Sequence, residues 1–365
     1  MQHLFPYEWN LKDGYPAKGI EKNNLKVFSC FSCGGGSTMG YKLAGYDVIG
    51  FNEIDEKIAK VYIENHHPKY AYIESIRDFK LRNDLPEELY NLDILDASPP
   101  CSSFSLIGNR EADWGKEKKF KEGQCNQVLD TLFFDTIDLI KTLQPKVAIA
   151  ENVKGLLLGK AQEYVKKIIK QFRESGYHVE YKLLAANTMG VPQNRERVFF
   201  IAVRNDLFKY CVDKKSLFSD RLPDSFYYFD EPKILFKEII NPGEGKPIQE
   251  SLNNAYDFCL KNNISDFAKY YEMTEHKRKR FNTIMIFPNN VCSTITSTCE
   301  HVIANEKRFI NKVELLKAST FPQDYNFLNV KEDYLCGMSV PPVMTAQIAT
   351  RIKKYIFDKI QEGKK

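Results

Sequence analysis

The stretch Asp93–Ser105 reads D-I-L-D-A-S-P-P-C-S-S-F-S. A short apolar run stops at Pro99-Pro100, and Cys101 follows at once. Two prolines fix φ and remove two backbone donors, so the chain cannot wander there. A buried parallel strand ending in such a turn delivers the next side chain to the carboxyl rim of a sheet, where open α/β folds bind ligands. A thiol held there is a candidate nucleophile. A cysteine is more often a small buried hydrophobe, but the Pro-Pro corner and the polar loop after it argue against that role. Two more groups with chemistry stand in comparable places. A strand predicted over Pro145–Ala150 runs into Glu151-Asn152-Val153, and Gln193, Arg195 and Arg197 alternate just before a strand predicted over Val198–Val203. An acid and two guanidinium groups can stabilise charge developing on a substrate.

Positioning these groups requires a regular frame. Lys26–Phe31 is β-rich, Cys33-Gly34-Gly35-Gly36-Ser37 breaks it, and Thr38–Leu43 has the pattern of a helix start. Strand, glycine turn and helix open a doubly wound nucleotide-binding unit. A second strand, Asp47–Phe51, leads to Glu53, about 20 residues past the glycines, where an acid commonly binds ribose hydroxyls. No G-x-G-x-x-G and no phosphate-binding lysine follow. These features favour a nucleoside without a pyrophosphate, such as S-adenosylmethionine, over a dinucleotide. Cys30 and Cys33 have C-x-x-C spacing, but no second pair completes a metal set, and the glycines give the stretch another use. No metal is expected.

The remaining elements follow in order. Residues 1–24 read as an irregular arm on the surface. Ser102–Gln124 is a long polar loop with Lys116, Lys118, Lys119 and Lys121, which suits a lid beside a site or a solvated surface loop. Helices are predicted over Val128–Leu143 and Ala161–Glu174, and a strand over His178–Ala185. Beyond Asp206 the alternation gives way to aromatics, prolines and short mixed runs, with the basic stretch Lys277–Arg280. The expected organisation is an N-terminal arm (1–24), a catalytic and cofactor-binding domain (25–205), a smaller domain (206–305) and a C-terminal segment returning to the first (306–365). In that last segment Arg308–Tyr325 and Lys331–Ile360 have helical patterns, interrupted at Gly337–Pro342.

Composition sets bounds. The chain has 365 residues, 43% hydrophobic and 27% charged, with a net charge of +4, ordinary for a soluble protein large enough for two domains. No apolar run approaches a membrane span, Met1–Pro6 does not read as a signal peptide, and nine cysteines without pairing periodicity suit a reducing compartment. A cytoplasmic location is expected. The weak positive charge permits a polyanionic partner without requiring one.

Taken in linear order, these segments resemble the DNA (cytosine-5) methyltransferase family of bacterial and phage restriction-modification type, over roughly 25–205 and 293–357. Phe31–Gly36 is similar to its cofactor motif, Glu53 to its ribose-binding acid, Pro99-Pro100-Cys101 to its nucleophile motif, and Glu151-Asn152-Val153 to its glutamate motif. Gln193, Arg195 and Arg197 resemble its Q-x-R-x-R motif, Arg308 with Glu314–Pro322 a late R…E…FP motif, and Gly337–Pro342 the last motif. The chain departs from the pattern at three places: Cys33 replaces the first glycine of F-x-G-x-G-G, Ser75-Ile76 stands where Asp-Ile is common, and Met338 replaces an asparagine. The second change removes a carboxylate for which Asp78 is a nearby substitute.

The resemblance implies a mixed-sheet, Rossmann-like methyltransferase fold with a second, target-recognition domain. It implies an enzyme transferring a methyl group from S-adenosylmethionine to C5 of a cytosine flipped out of duplex DNA. Cys101 would add to C6, Glu151 would hydrogen-bond or protonate N3, Arg197 would meet the carbonyl oxygen and Arg195 would support the pocket. Cofactor contacts are implied for Phe31, Gly35, Gly36, Glu53, Ile54, Ser75, Ile76, Pro100 and Ser339. Nucleic-acid contacts are implied for Ser102, Lys116, Lys118, Gln193 and Thr294. The implied partner is double-stranded DNA, with a cognate restriction endonuclease acting separately. One duplex and one flipped base fit a monomer. Two alternatives remain in view: a tRNA cytosine-5 methyltransferase, whose Cys-Phe-Thr signature is poorly matched by Val291-Cys292-Ser293-Thr294, and a catalytically silent nucleic-acid-binding homologue.

Overall fold

Runs rich in valine, isoleucine and phenylalanine form most strands of the central sheet. The structure is a computed structural model that describes residues 3–100, 131–159, 161–212, 220–243, 245–298 and 300–364. In chain order the strands are β1 (Lys26–Cys30), β2 (Asp47–Asn52), β3 (Tyr70–Tyr72), β4 (Ile94–Ala97), β5 (Val147–Val153), β6 (Tyr177–Ala185), β7 (Gln193–Asn194), β8 (Glu196–Arg204), β9 (Thr283–Ile286), β10 (Cys292–Ser293), β11 (Glu300–Ile303) and β12 (Arg308–Phe309). The α-helices are α1 (Gly36–Leu43), α2 (Glu56–His66), α3 (Ile76–Phe79), α4 (Leu132–Leu143), α5 (Ala161–Glu174), α6 (Asn205–Phe208), α7 (Asn253–Asn262), α8 (Ala268–Glu275), α9 (Lys312–Ser319), α10 (Glu332–Met338), α11 (Pro342–Ile352) and α12 (Asp358–Gly363).

Seven strands form one sheet in the order β3-β2-β1-β4-β5-β8-β6. β3 to β5 pair in parallel, whereas β8 runs antiparallel to both β5 and β6. The chain leaves β1 toward β2 and β3 on one side, then starts again at β4 on the other. The strand order therefore reverses between β1 and β4, which is where such sheets bind ligands beyond their carboxyl ends. All four residues of β4 are buried, as a central parallel strand with both faces covered requires. On α5, Tyr164, Val165, Ile168 and Phe172 recur at helical spacing and bury together, each contributing about 1.5–3 kcal/mol by leaving water.

The chain divides into two compact units. The sheet unit comprises Tyr15–Ala185, Glu196–Phe229 and Thr345–Lys365; the second unit comprises Met1–Gly14, Ala186–Arg195 and Asp230–Met344. The second unit contains a three-stranded sheet, β12-β11-β9, and the short pair β10-β7.

Two expectations need correction here. The N-terminal arm is not merely laid on the surface: Phe5 is fully buried, and buried Trp9 donates its indole N–H to the Thr320 carbonyl at 2.9 Å. The helical pattern read from Arg308 begins only at Lys312, because Arg308–Phe309 pairs with β11. Asn311 caps the helix, its side chain accepting from Glu314 N while the Glu314 carboxylate accepts from Asn311 N. That reciprocal cap fixes the start of α9.

Arg308 and Glu314 also form the main buried ion pair of the second unit, bidentate at 2.9 and 2.7 Å, with Glu314 fully buried. Replacing Glu314 by alanine leaves the guanidinium with Glu306 as its one carboxylate among the described residues, beside the Phe309 and Asn241 carbonyls, and strips the Asn241 and Asn311 amides of their acceptor. The expected cost is about 3–5 kcal/mol in urea unfolding. A loss below about 1 kcal/mol would mean that Glu306 compensates.

Candidate active site

The corner after β4 is fixed on both sides. Ser98 N donates to the Cys30 carbonyl at 3.3 Å, after which Pro99 and Pro100 offer no donor. Asn152 then grips the corner: its Nδ2 donates to the Pro99 carbonyl at 3.1 Å, while its Oδ1 accepts from Val153 N at 2.8 Å. The Glu-Asn-Val segment is thereby tied to the residues just before Cys101. Cys101 itself, Ser102, Lys116, Lys118 and the expected lid lie outside the described residues.

The antiparallel register of β5 and β8 sets Val153 opposite Arg197 and Glu151 opposite Phe199. Alternation places Glu151 and Arg197 on the same face, and Arg197 Nε approaches Glu151 Oε1 to 3.0 Å. Both side chains are largely shielded, at 16% and 11% exposure. Burial lowers the Arg197 pKa and the Glu151 charge pulls the other way, so the guanidinium remains a cation held against the acid.

Arg195, Gln193, Thr294 and Ser339 belong to the second unit. Buried Arg195 donates to the carbonyls of Ile295 (2.9 Å), Gly337 (2.9 Å) and Ser339 (3.0 Å). It therefore joins the Thr294-Ile295-Thr296 segment to the Gly337–Pro342 segment. Gln193, expected to meet nucleic acid, is buried, and both ends of its amide are engaged, donating to Ala318 O and accepting from Ile295 N. Thr294 donates its hydroxyl to the Asn194 carbonyl. Ser339 is buried, and its hydroxyl has no hydrogen-bond partner among the described residues.

At the carboxyl end of β1 the turn is sharp. Phe31, Cys33 and Gly35 have φ of 53°, 47° and 76°. Gly35 has no alternative, since a Cβ there would lie 2.1 Å from His66 Nε2. Glu53 stitches the turn to β2: one carboxylate oxygen accepts from Cys33 N at 3.0 Å, the other from Ile54 N and Asp55 N at 2.8 and 3.1 Å. Burial raises the Glu53 pKa, and these three N–H groups oppose the rise. The oxygen facing Cys33 keeps a lone pair for a further donor. Ser75 caps α3 and donates its hydroxyl to the Asp78 carboxylate at 2.6 Å, which holds that carboxylate beside Ser75. Ile76 is buried, while Phe31, Ile54 and Pro100 are partly exposed.

Cys33 adopts the left-handed backbone that glycine prefers, at the place where the resemblance expects glycine. Cys33→Gly should therefore raise stability by about 1 kcal/mol, read as a shift in the urea midpoint. A drop would show that the thiol contributes packing that outweighs the strain.

The sequence model of the C-5 cytosine-specific DNA methylases matches residues 25–354. The chain belongs to that family. The methylase is 29% identical over 352 residues to the Type II methyltransferase M.FnuDI of Fusobacterium nucleatum, covering 92% of this chain and 96% of the relative. It is 29% identical over 355 residues to the Type II methyltransferase M.NgoPII of Neisseria gonorrhoeae, covering 91% and 96%. Among solved structures it resembles a candidate DNA modification methyltransferase encoded in an Escherichia coli prophage, with a TM-score of 0.64 at 20% identity over 92% of this chain and 100% of that one. That likeness supports the fold: a mixed α/β sheet of the S-adenosylmethionine-dependent, Rossmann-like kind. No helix among the described residues of the methylase is long and apolar enough to cross a membrane.

One buried group in the methylase was passed over in the sequence. Asp96, within β4, is 4% exposed and accepts hydrogen bonds from Ser29 and Tyr41. The available signal was a charge in the middle of a strand otherwise reading as fully apolar.

Proposed function

We propose that this methylase transfers a methyl group to C5 of a cytosine flipped out of duplex DNA, within a short recognition sequence, through a covalent adduct of Cys101. The observation that carries the reading is the Glu151–Arg197 pair, held by the Asn152–Pro99 bond to the corner that precedes Cys101.

Cytosine C5 is a poor nucleophile. Addition of the Cys101 thiolate to C6 makes C5 enamine-like, so that it can attack an electrophilic carbon. Glu151, carrying a proton when the base is seated, donates a hydrogen bond or that proton to N3 as density builds on the ring and recovers it when the adduct collapses, while Arg197 holds the acid in place and faces the ring carbonyl. After C5 has gained its methyl group, it loses its proton to solvent, the S–C6 bond breaks, and the thiolate is released. S-adenosylmethionine, when bound, supplies the methyl group on a sulfonium centre. Its fit rests on three features: the free lone pair on buried Glu53 for the ribose diol, Asp78 held by Ser75 for an amine, and the buried Ser32 hydroxyl, which has no partner among the described residues. Phe31, Gly35, Gly36, Ile54, Ile76, Pro100 and Ser339 complete the proposed contacts.

Residues 206–305 are read as the target-recognition region. Lys277–Arg280 are exposed there and suit phosphate contacts, as do Lys116 and Lys118. Ser102 and Thr294 are assigned to the nucleic acid as well. Gln193, with its amide engaged, acts there by shaping the Thr294 segment. Base flipping costs a few kcal/mol, which these contacts offset. The named relatives are Type II methyltransferases, which supports a place beside a separately acting restriction endonuclease; the monomer rests on the fit of one duplex and one flipped base.

The test is bisulfite sequencing of an unmethylated plasmid treated with the protein and S-adenosylmethionine. Protection of cytosines in one short repeated context is expected. Conversion of every cytosine, with cofactor binding verified, would overturn the reading in favour of a tRNA substrate or a silent homologue.

A further inference from the structure

The Asp96 carboxylate lies beneath the glycine turn and touches both of its ends. Ser29, on β1 just before the turn, donates its hydroxyl to Oδ2 at 3.1 Å. Tyr41, on α1 after it, donates to Oδ1 at 3.2 Å. Strand register explains the geometry. Ser29 pairs with Asp96 across β1 and β4, and Asp96 pairs with Ile149 across β4 and β5. Ser29, Asp96, Ile149 and, two residues on, Glu151 therefore point to one face of the sheet. Asp96 is also part of the strand that runs directly into Pro99-Pro100-Cys101.

We infer that Asp96 is a positioning residue: its ionised carboxylate clamps both ends of the cofactor turn to the nucleophile-bearing strand, and cofactor affinity depends on that clamp. The inference rests on the proposed assignment of this turn to S-adenosylmethionine. An ionised carboxylate is an acceptor only and suits the two hydroxyl donors. A protonated one must donate, so one of those hydroxyls has to turn away.

The titration falls in a measurable range. Burial pushes the Asp96 pKa up to about 7, the hydroxyl donors oppose the rise, and the Glu151 charge adds to it. The other titratable groups facing it are Cys30 on β1, Tyr41 on α1 and Tyr62 on α2, all pushed upward by burial and so neutral near pH 7. The consequence for stability has a definite sign. From the ordinary carboxylate range up to about 7, the folded chain holds a proton that the unfolded chain releases, so stability falls as pH rises through that window. A carboxylate kept solely for stability would not be placed so.

The test is calorimetric titration of the full chain with S-adenosylhomocysteine between about pH 6 and about pH 8.5, spanning the Asp96 transition. The wild type is expected to bind roughly tenfold more weakly at the acid end, the equivalent of one lost hydrogen bond. Asp96→Asn is expected to bind at that weaker level throughout, without slope, and with a melting temperature at the alkaline end no lower than wild type. Lys42 also titrates in this window, lowered to about 8 by burial, and donates to the His66 carbonyl. Lys42→Gln should therefore keep the acid-side slope. A flat wild-type profile, a slope retained in Asp96→Asn, a slope lost in Lys42→Gln, or a melting temperature that falls along with affinity in Asp96→Asn would each overturn the clamp. Absence of wild-type binding at every pH would instead overturn the assignment of the turn, and the clamp with it.

Discussion

Cys101→Ser should lower methyl transfer by at least about a thousandfold while leaving sequence-specific DNA binding intact. A serine hydroxyl is not appreciably ionised near neutrality, whereas even an unperturbed thiol is a few per cent thiolate and intrinsically more nucleophilic. The substitution adds no bulk. It follows a Pro-Pro corner that Asn152 holds from outside the loop, so the corner does not depend on the thiol. The measurement is the single-turnover rate of methyl transfer to duplex DNA, with binding followed separately by titration of a fluorescent duplex. Transfer within about tenfold of wild type would remove the covalent route. Loss of DNA binding in parallel with rate would show that the cysteine acts in structure or recognition instead.

Glu151→Gln should lower the single-turnover rate by about a hundredfold to ten-thousandfold. The amide is nearly isosteric and can still donate a hydrogen bond to a ring nitrogen, but it cannot deliver a proton. It also leaves the Arg197 guanidinium without its counter-charge in a shielded site, a change that costs up to about 3 kcal/mol where pairs are buried. The rate must therefore be taken well below the variant's melting temperature. A variant with lowered stability and an unchanged rate would make the Glu151–Arg197 pair structural. A slow variant that still binds cofactor and DNA supports the acid.

The two positions also show what could be read from the chain. The strands leading to Cys101 and Glu151 were legible because each is a short apolar run that ends abruptly, and α5 because its apolar residues repeat at helical spacing from Ala161 to Glu174. What escaped was set by partners distant in sequence. Arg308 sits in a short strand because β11 pairs with it, and the helix starts only after the Asn311–Glu314 cap. Phe5 and Trp9 have no periodicity, so nothing local signals their burial. Gln193 has the look of a residue that reads a base, and only its bonds to Ala318 and Ile295 reveal its engagement. Asp96 was hidden for the opposite reason, as a single polar residue inside a strand taken as apolar.

The second unit is assembled from the first residues of the chain, a short stretch near the middle and a long one near the end. Trp9 leaves the ribosome long before Thr320, whose carbonyl it binds. During synthesis the indole must wait, exposed, while most of the chain is made, and docking of the N-terminus belongs to the last stage of folding. The same arrangement governs any attempt to transplant this unit into a relative. A cassette of residues 230–344 would leave Trp9 and Gln193 behind in the donor and arrive with the Thr320 and Ala318 carbonyls, and the Ile295 amide, facing strangers. A working graft has to carry all three pieces.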